Sequence, residues 1–258
     1  MTIDLLTYQP KSCDYPNFRN LMSKYGNLFN QKFLYISEHN SNEITPDIDS
    51  FLIPEYTKLG FTYVEPPRLR VAEEDWCDFA IKAMLEKSKA DTFLIIHPDF
   101  LAEDFPLLIA MVEHELETSD LVGYTNGEYI EPAFFACKRK SYNKSCKDFS
   151  ARDGFDHCNY LSKNMMDKGM KIKYLQGLGL INRKDFYHLG GATQAYIWGL
   201  TMDEYRREVD YVSLWWALKK DVPMNQIYVD RVSKIIALCK EKFPNVNPET
   251  HWLRRFLI

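Results

Sequence analysis

Residues 92–100 constrain the fold of this chain more than any other stretch. They read Thr-Phe-Leu-Ile-Ile-His-Pro-Asp-Phe, an apolar run that ends abruptly in polar residues. Such a run, bounded by polar residues, predicts a strand that is buried on both faces. Ligands of open α/β sheets bind just beyond the carboxyl ends of such strands. We therefore expect His97 and Asp99 to lie where a divalent cation or a phosphate is held.

Strand and helix patterns alternate on both sides of this central stretch. Before it, we predict strands at residues 3–8 and 32–37, a helix at 15–25, a short strand before Pro66 and a helix from Glu73. After it, we predict a helix capped by Asp104, strands at 121–124, 132–137 and 172–175, a helix at 154–168, and two helices after Thr201. This order predicts parallel pairing in the first half and a less regular, mixed arrangement after residue 125.

Composition limits the cellular compartments and the kinds of binding partner that we expect for this chain. The net charge of −4 argues against a general polyanion binder. Six cysteines form no C-x-x-C pair, which favours free thiols in a cytosolic protein. The first residues show no secretory signal, and the apolar runs are too short to span a bilayer. We expect a cytoplasmic protein without a membrane span.

The order of elements resembles the nucleotide-sugar-dependent glycosyltransferases of the GT-A fold, especially the large inverting family 2. The features that carry the resemblance are the strand–helix–strand start, the helix that opens with Asp75-Trp76, and the strand followed by x-x-Asp. It covers about residues 3–200. It implies an α/β, Rossmann-like sandwich with a mixed, mainly parallel central sheet and C-terminal helices. We expect one domain over residues 1–258, with a nucleotide-sugar half (1–125), an acceptor half (126–200) and a helical extension (201–258).

The resemblance also implies a metal site. In that family the central strand ends in Asp-x-Asp, and the last Asp binds the metal on the sugar-nucleotide diphosphate. Asp99 matches this last Asp, whereas His97 replaces the first. His188, which precedes Gly190-Gly191, matches the late histidine that often completes the metal site in GT-A enzymes. The expected ion is Mn²⁺ or Mg²⁺, held by Asp99 and His188 with His97 as a further candidate.

Nucleotide contacts carry over residue by residue from the same resemblance. Thr7 and Tyr8, at the end of the first strand, would lie against the base, and Glu38 would contact a uracil or ribose. Independently of the resemblance, Arg68 and Arg70 follow a strand and precede the helix that opens with Asp75-Trp76, so they would clamp phosphate or else lie on the surface as solvated side chains. The expected donor is a nucleoside diphosphate sugar, with UDP as the expected nucleotide. Asp75 and Asp78 are expected instead as a helix cap and an exposed helix face.

A second polar cluster, at residues 152–157, supplies candidates for the catalytic base. Inverting transfer needs a carboxylate that takes the proton from the attacking hydroxyl. In the family this base lies near the start of a helix, and Asp153 and Asp156 both fit, because they are three residues apart at the start of the helix predicted at 154–168. We favour Asp156, with His157 orienting it or substituting for it, while Asp153 stays open as base or cap.

A basic run borders the expected acceptor side. It contains Lys138, Arg139, Lys140, Lys144, Lys147 and Arg152, with Tyr142 and Phe149 interleaved. Such a patch is typical of a solvated loop or of a surface for an anionic acceptor, including nucleic acid. The acceptor is therefore expected to be a polysaccharide, a small molecule, or DNA with hydroxymethylated bases, which sugar transferases of bacterial viruses use.

Two other functional classes are compatible with the pattern. A nucleotidyltransferase would have a similar α/β nucleotide-binding fold. It typically carries a glycine-rich loop after the first strand, where this chain has Tyr8-Gln9-Pro10. A non-catalytic binding protein on the same fold is favoured by the absence of the first Asp of Asp-x-Asp. We favour the transferase.

Overall fold

The computed structural model describes residues 2–10, 16–37, 49–65, 76–98, 100–102, 104–125, 128–150, 155, 157–175 and 186–188. All of them lie in the first of two compact units, Met1–His188. The second unit, Leu189–Ile258, lies outside the described residues, and so do the helices predicted after Thr201.

The described part of the chain contains nine strands, six α-helices and one short 3₁₀ helix, Gly26–Leu28. The strands are β1 Ile3–Pro10, β2 Lys32–Ser37, β3 Phe61–Val64, β4 Thr92–Ile96, β5 Phe100–Ala102, β6 Leu121–Thr125, β7 Ile130–Lys138, β8 Ile172–Tyr174 and β9 Phe186–His188. The helices are α1 Pro16–Tyr25, α2 Asp49–Lys58, α3 Trp76–Lys87, α4 Phe105–Thr118, α5 Arg139–Tyr142 and α6 Asn159–Asp167.

Seven of these strands form one sheet in the order β3-β2-β1-β4-β7-β6-β8. The first four pair in parallel, β7 runs antiparallel to both β4 and β6, and β8 is parallel to β6. The predicted parallel first half and mixed second half are confirmed. A separate antiparallel pair, β5 with β9, was not predicted.

Strand β4 lies at the centre of the sheet, and all five of its residues are buried. Phe93 and Ile95 belong to a core cluster that also contains residues of α3 and α6. Leu94 and Ile96 are just as buried but lie outside that cluster, so they face the opposite side, as strand alternation requires. The prediction of a strand covered on both faces is confirmed.

Helix boundaries agree with the sequence where capping chemistry is plain. Asp104 caps α4 as predicted, since its carboxylate accepts the Leu107 N–H at 3.0 Å. Helix α2 was not predicted, because it contains Pro54 in its interior. Helix α6 begins at Asn159, later than the predicted residue 154, because Cys158 adopts a left-handed conformation with φ of 66°. Within the described ranges, none of the helices is both long and apolar enough to cross a bilayer.

Candidate active site

The carboxyl ends of β1 and β4 lie side by side at one edge of the sheet, because the two strands run parallel. Tyr8 lies near the end of β1, and His97 directly follows β4. The Tyr8 hydroxyl hydrogen-bonds with His97 Nε2, and the rings meet edge to face with centroids 4.7 Å apart. The His97 N–H donates to Ala133 O at 2.9 Å, and its carbonyl accepts from Phe100 N at 3.0 Å. The edge predicted to receive ligand therefore carries a fixed Tyr–His pair.

The two residues expected against the nucleotide base, Thr7 and Tyr8, are both buried. Thr7 Oγ1 donates to Ile96 O at 2.8 Å, so this side chain ties β1 to β4 and does not face solvent. Tyr8 is 3% exposed, and its ring lies behind the half-buried His97. At this edge it is His97, among these three side chains, that a ligand would meet first.

A buried thiol that no sequence pattern indicated lies behind the Tyr8–His97 pair. Cys77, in the first turn of α3, is 1% exposed. Its Sγ lies 3.1 Å from the Tyr8 hydroxyl and hydrogen-bonds with the side chains of Cys158 and His157. Burial raises the pKa of the Cys77 thiol, but these hydrogen bonds and the positive charge of His157 outweigh burial and lower the pKa from 9.0 to about 6. We call Tyr8, His97, Cys77, His157 and Cys158 the thiol cluster.

Phe149, which precedes the turn with His157 and Cys158, links this turn to the start of α3. Asp78 Oδ1 accepts the Phe149 N–H at 2.9 Å, and the Phe149 carbonyl accepts the Cys158 N–H at 3.1 Å. The expectation that Asp78 lies on an exposed helix face is therefore wrong, since this chain segment covers it. Its other oxygen accepts from Lys82 Nζ at 2.6 Å.

The small β5–β9 sheet bears on the predicted metal site. Its register pairs Phe100 with His188, so the backbone of His188 lies opposite the residue that follows Asp99. The side chains of Asp99 and His188 lie outside the described part of the chain. His97 Nε2 hydrogen-bonds with the Tyr8 hydroxyl, so a metal ion bound at this atom would displace that hydrogen bond. Among the side chains that are described, no three His, Cys, Asp or Glu residues are grouped to hold a metal ion.

Most of the other predicted site residues fall in segments that the structure does not describe. These are Glu38, Arg68, Arg70, Asp99, Asp153 and Asp156. His157 is described and lies in a turn before α6, so the prediction that the helix already includes His157 is wrong. The cause is again the left-handed backbone of Cys158, which an α-helix does not accommodate.

The basic run after β7 differs from a nucleic-acid patch with displayed aromatic rings. Arg139 donates to Ala90 O at 2.7 Å and to Ser88 Oγ at 2.6 Å, so its charge is used inside the protein. Tyr142 and Phe149 are buried and stack on each other with centroids 5.3 Å apart. The interpretation of these two rings as stacking platforms is wrong, because they complete the core beside α3.

Comparison with known proteins shows similarity in structure. No protein-family model matches the sequence, and a search of curated proteins finds no significant match. Glucosyl-3-phosphoglycerate synthase from Mycobacterium tuberculosis, in complex with phosphoglyceric acid, matches with a TM-score of 0.51 at 14% identity, over 78% of this chain and 81% of that one. The same enzyme with Mn²⁺, UDP-glucose and phosphoglyceric acid gives 0.50 at 14% identity, over 77% and 78%.

A third match is the mannosyltransferase PcManGT from Pyrobaculum calidifontis, in complex with GDP-mannose and Mn²⁺. It is 14% identical with a TM-score of 0.48, and the match covers 67% of this chain. The chain spans about half, 54%, of that mannosyltransferase.

The two matches to glucosyl-3-phosphoglycerate synthase define the class of fold. The seven-stranded, mostly parallel mixed sheet with helices on both faces is the GT-A fold of nucleotide-sugar-dependent glycosyltransferases. The fold class predicted from the sequence is confirmed. At this level of identity the likeness establishes the fold, and the reaction has to be argued from the site.

Proposed function

We propose that this chain is a glycosyltransferase that moves one sugar from a nucleoside diphosphate sugar to an acceptor hydroxyl. The observation that supports this most directly is the fixed Tyr8–His97 pair at the carboxyl edge of a GT-A sheet, immediately before Pro98-Asp99. Ligands of open α/β sheets collect at that edge, where the strands end. The transferred sugar would be a hexose or a pentose.

Asp99 and His188 would hold the divalent ion, Mn²⁺ or Mg²⁺, with His97 as a third candidate. The β5–β9 register supports this pairing, because it brings the backbone of His188 beside the residue after Asp99. Carboxylate oxygen and imidazole nitrogen together suit Mn²⁺, and carboxylate oxygen suits Mg²⁺. When bound, the ion would offset the charge of the leaving diphosphate. His97 would either exchange its hydrogen bond with Tyr8 for the ion or serve to orient Tyr8.

Asp156 or Asp153 would take the proton from the acceptor hydroxyl. The described contacts favour Asp156, because its neighbour His157 hydrogen-bonds with Cys77 and so belongs to the same cluster as Tyr8. Asp156 directly precedes His157 in the sequence, and the side chain of His157 is fixed by this hydrogen bond. His157 would orient Asp156 or act in its place.

The donor and acceptor assignments follow from the predicted contacts of the nucleotide and from the basic run after β7. UDP is the nucleotide we would test first, with Glu38 near its base or ribose and with Arg68 and Arg70 near its phosphates. A structural neighbour holds UDP-glucose together with Mn²⁺. The acceptor is a polysaccharide, a small molecule or a hydroxymethylated pyrimidine in viral DNA. With Tyr142 and Phe149 buried, support for DNA comes from the basic residues and not from stacking. The cytoplasm, or a host's cytoplasm for a viral enzyme, is the proposed compartment.

A thermal-shift panel tests the donor class. We would measure the melting temperature with UDP, GDP, CDP, ADP and dTDP, each with and without Mn²⁺. A ligand that binds the native state raises the melting temperature by mass action, by an amount that depends on its concentration relative to Kd. We expect UDP to raise it and Mn²⁺ to enlarge the shift. If none of the five changes the melt, the sugar-nucleotide donor is wrong.

Substitution of Asp99 tests the metal assignment. Asp91 is the matched control, because it is exposed and flanks β4 at the opposite end of the strand. We expect Asp99→Asn to abolish the Mn²⁺-dependent part of the UDP shift and to abolish transfer. Asp91→Asn should leave both intact. Normal turnover by Asp99→Asn would show that Asp99 holds no metal that the reaction needs.

The products separate this proposal from the two other classes. Release of a nucleoside diphosphate from the sugar nucleotide, measured by chromatography, is the expected result. Release of pyrophosphate during incubation with a nucleoside triphosphate and a sugar phosphate would identify a nucleotidyltransferase. Tight binding of a diphosphate with no turnover of any sugar nucleotide would identify a binding protein on the GT-A fold.

A further inference from the structure

The thiol cluster connects the two halves of the proposed site. Tyr8 and His97 belong to the ends of β1 and β4, where the donor would bind. His157 and Cys158 belong to the turn before α6, next to the candidate base. Cys77 makes hydrogen bonds with both groups, to Tyr8 on one side and to His157 and Cys158 on the other.

A second buried thiol, that of Cys137, serves as a comparison for Cys77 because its surroundings are those of an ordinary core residue. Cys137 on β7 lies in the same core cluster and is 0% exposed. Its Sγ donates to the carbonyl of the next residue, Lys138, at 3.4 Å. Burial raises the pKa of the Cys137 thiol well above its usual range, as expected for a thiol that only fills space. Cys77 is buried to the same degree, but its partners are a phenol, an imidazole and a thiol.

We propose that Cys77 is a positioning residue of the transferase: its thiol holds the Tyr8 hydroxyl beside His97 and holds the His157 ring in the turn before α6. The catalytic part of this inference rests on the proposed function. The geometric part rests on the contacts of Cys77 with Tyr8, His157 and Cys158. Cys77 itself is buried and would not touch the substrate.

Removal of the thiol would release both sides of the cluster. The Tyr8 hydroxyl would keep His97 as its partner but lose the contact that fixes it from behind, and His157 would lose its hydrogen bond to Sγ. Misplacement of reacting groups by about 1 Å can reduce turnover by roughly 100-fold. The effect should appear in kcat more than in KM, because the thiol lies behind the ligand edge and not in contact with the donor.

The test uses four variants of the full chain: Cys77→Ala, Cys77→Ser, Cys137→Ala and Cys137→Ser. Ala and Ser have similar volumes, so the difference between them isolates the hydrogen bond from the packing. We would measure kcat and KM for the sugar nucleotide, the melting temperature, and the imidazole NMR signals of His97 and His157. His97 is informative because it reaches Cys77 through Tyr8.

The positioning role predicts a specific combination of results. Cys77→Ala should lower kcat by roughly 10- to 100-fold with little change in KM, and Cys77→Ser should recover part of that loss. Both Cys137 variants should lower the melting temperature as much as the Cys77 variants and leave kcat near wild type. The His97 signal should move in Cys77→Ala and stay in place in Cys137→Ala.

Two results would overturn the inference in different ways. If wild type is active and Cys77→Ala loses no more turnover than Cys137→Ala, Cys77 is a core residue and no more. If wild type turns over no sugar nucleotide, the proposed function fails first. The NMR signal of His97 then shows whether Cys77 still positions the Tyr8–His97 pair. If this signal does not move in Cys77→Ala, the positioning role of Cys77 is rejected too.

Discussion

Strand β1 has a buried polar network at each end, and the two networks differ in kind. At the amino end, the Asp4 carboxylate is 0% exposed and accepts hydrogen bonds from five donors. These donors are Asn30 Nδ2, Gln31 N, Ser88 Oγ, Lys89 N and Ala90 N. At the carboxyl end, Tyr8 joins a cluster made of side chains that can gain or lose a proton.

This difference is the one expected between a structural network and a candidate functional site. Three of the five donors to Asp4 are backbone amides, so this carboxylate joins β1 to the two chain segments that follow α1 and α3. Arg139 extends the network through Ser88. The thiol cluster contains phenol, imidazole and thiol groups, whose protonation responds to a ligand or to pH. A network of backbone donors is typical of a fold constraint, whereas perturbed titratable groups at a sheet edge are typical of a site.

The largest effect we expect comes from Asp4→Ala. It leaves buried donors without an acceptor, and each such loss is costly in a low-dielectric interior. We expect the free energy of unfolding, measured by urea denaturation, to fall by roughly 3–5 kcal/mol. Asp167→Ala is the control, since its pair with Lys163 is on the surface, and it should leave unfolding unchanged. Equal stability of the two variants would contradict a structural role for the amino-end network.

The sequence was sufficient to predict the seven-stranded sheet and the burial of its central strand. Strand β4 could be predicted because its apolar run and polar ends combine burial with termination in one stretch. The parallel first half followed from the alternation of strand and helix, and the Asp104 cap from local side-chain chemistry. These features depend on residues that are close in sequence.

The thiol cluster could not be predicted, because its contacts join residues that are far apart in the chain. Tyr8 and Cys77 are 69 positions apart, and no local pattern distinguishes Cys77 from Cys137 as a buried thiol. The burial of Asp78 depends on its long-range contact with Phe149. The left-handed backbone of Cys158 is equally invisible, since cysteine has no special preference for that conformation.

Titration of the two buried thiols would sharpen the contrast between site and core. ¹³C-labelled cysteine reports the protonation of each thiol by NMR without reagent access. We expect Cys77 to titrate with a pKa of about 6, because Cys158, His157 and Tyr8 hydrogen-bond with it, while burial keeps Cys137 protonated well above its ordinary pKa.

The same pKa shifts predict how stability depends on pH. Because the Cys77 pKa is lowered from 9.0 to about 6, its contribution is fully present above pH 9.0 and is lost as pH falls through about 6. Wild type should therefore gain stability relative to Cys77→Ser as pH rises through this window. A Cys77 thiol that stays protonated at pH 8, or a stability difference that does not change with pH, would place it with Cys137 as a core residue.

The smallest effect, and the most selective, comes from two tyrosine hydroxyls: that of Tyr8 on β1, and that of Tyr56 on α2, whose partner is the next β1 residue, Gln9. Tyr8 hydrogen-bonds with His97 and Cys77, whereas Tyr56 donates to the side chain of Gln9 at 2.9 Å. Both rings are buried, so Tyr8→Phe and Tyr56→Phe should each lower the free energy of unfolding by about 1 kcal/mol. Only Tyr8→Phe should also lower the turnover, because its hydroxyl holds His97 at the carboxyl end of β4. If both variants behave alike in turnover, the hydroxyl of Tyr8 serves packing, and the carboxyl end of β1 is as structural as the amino end.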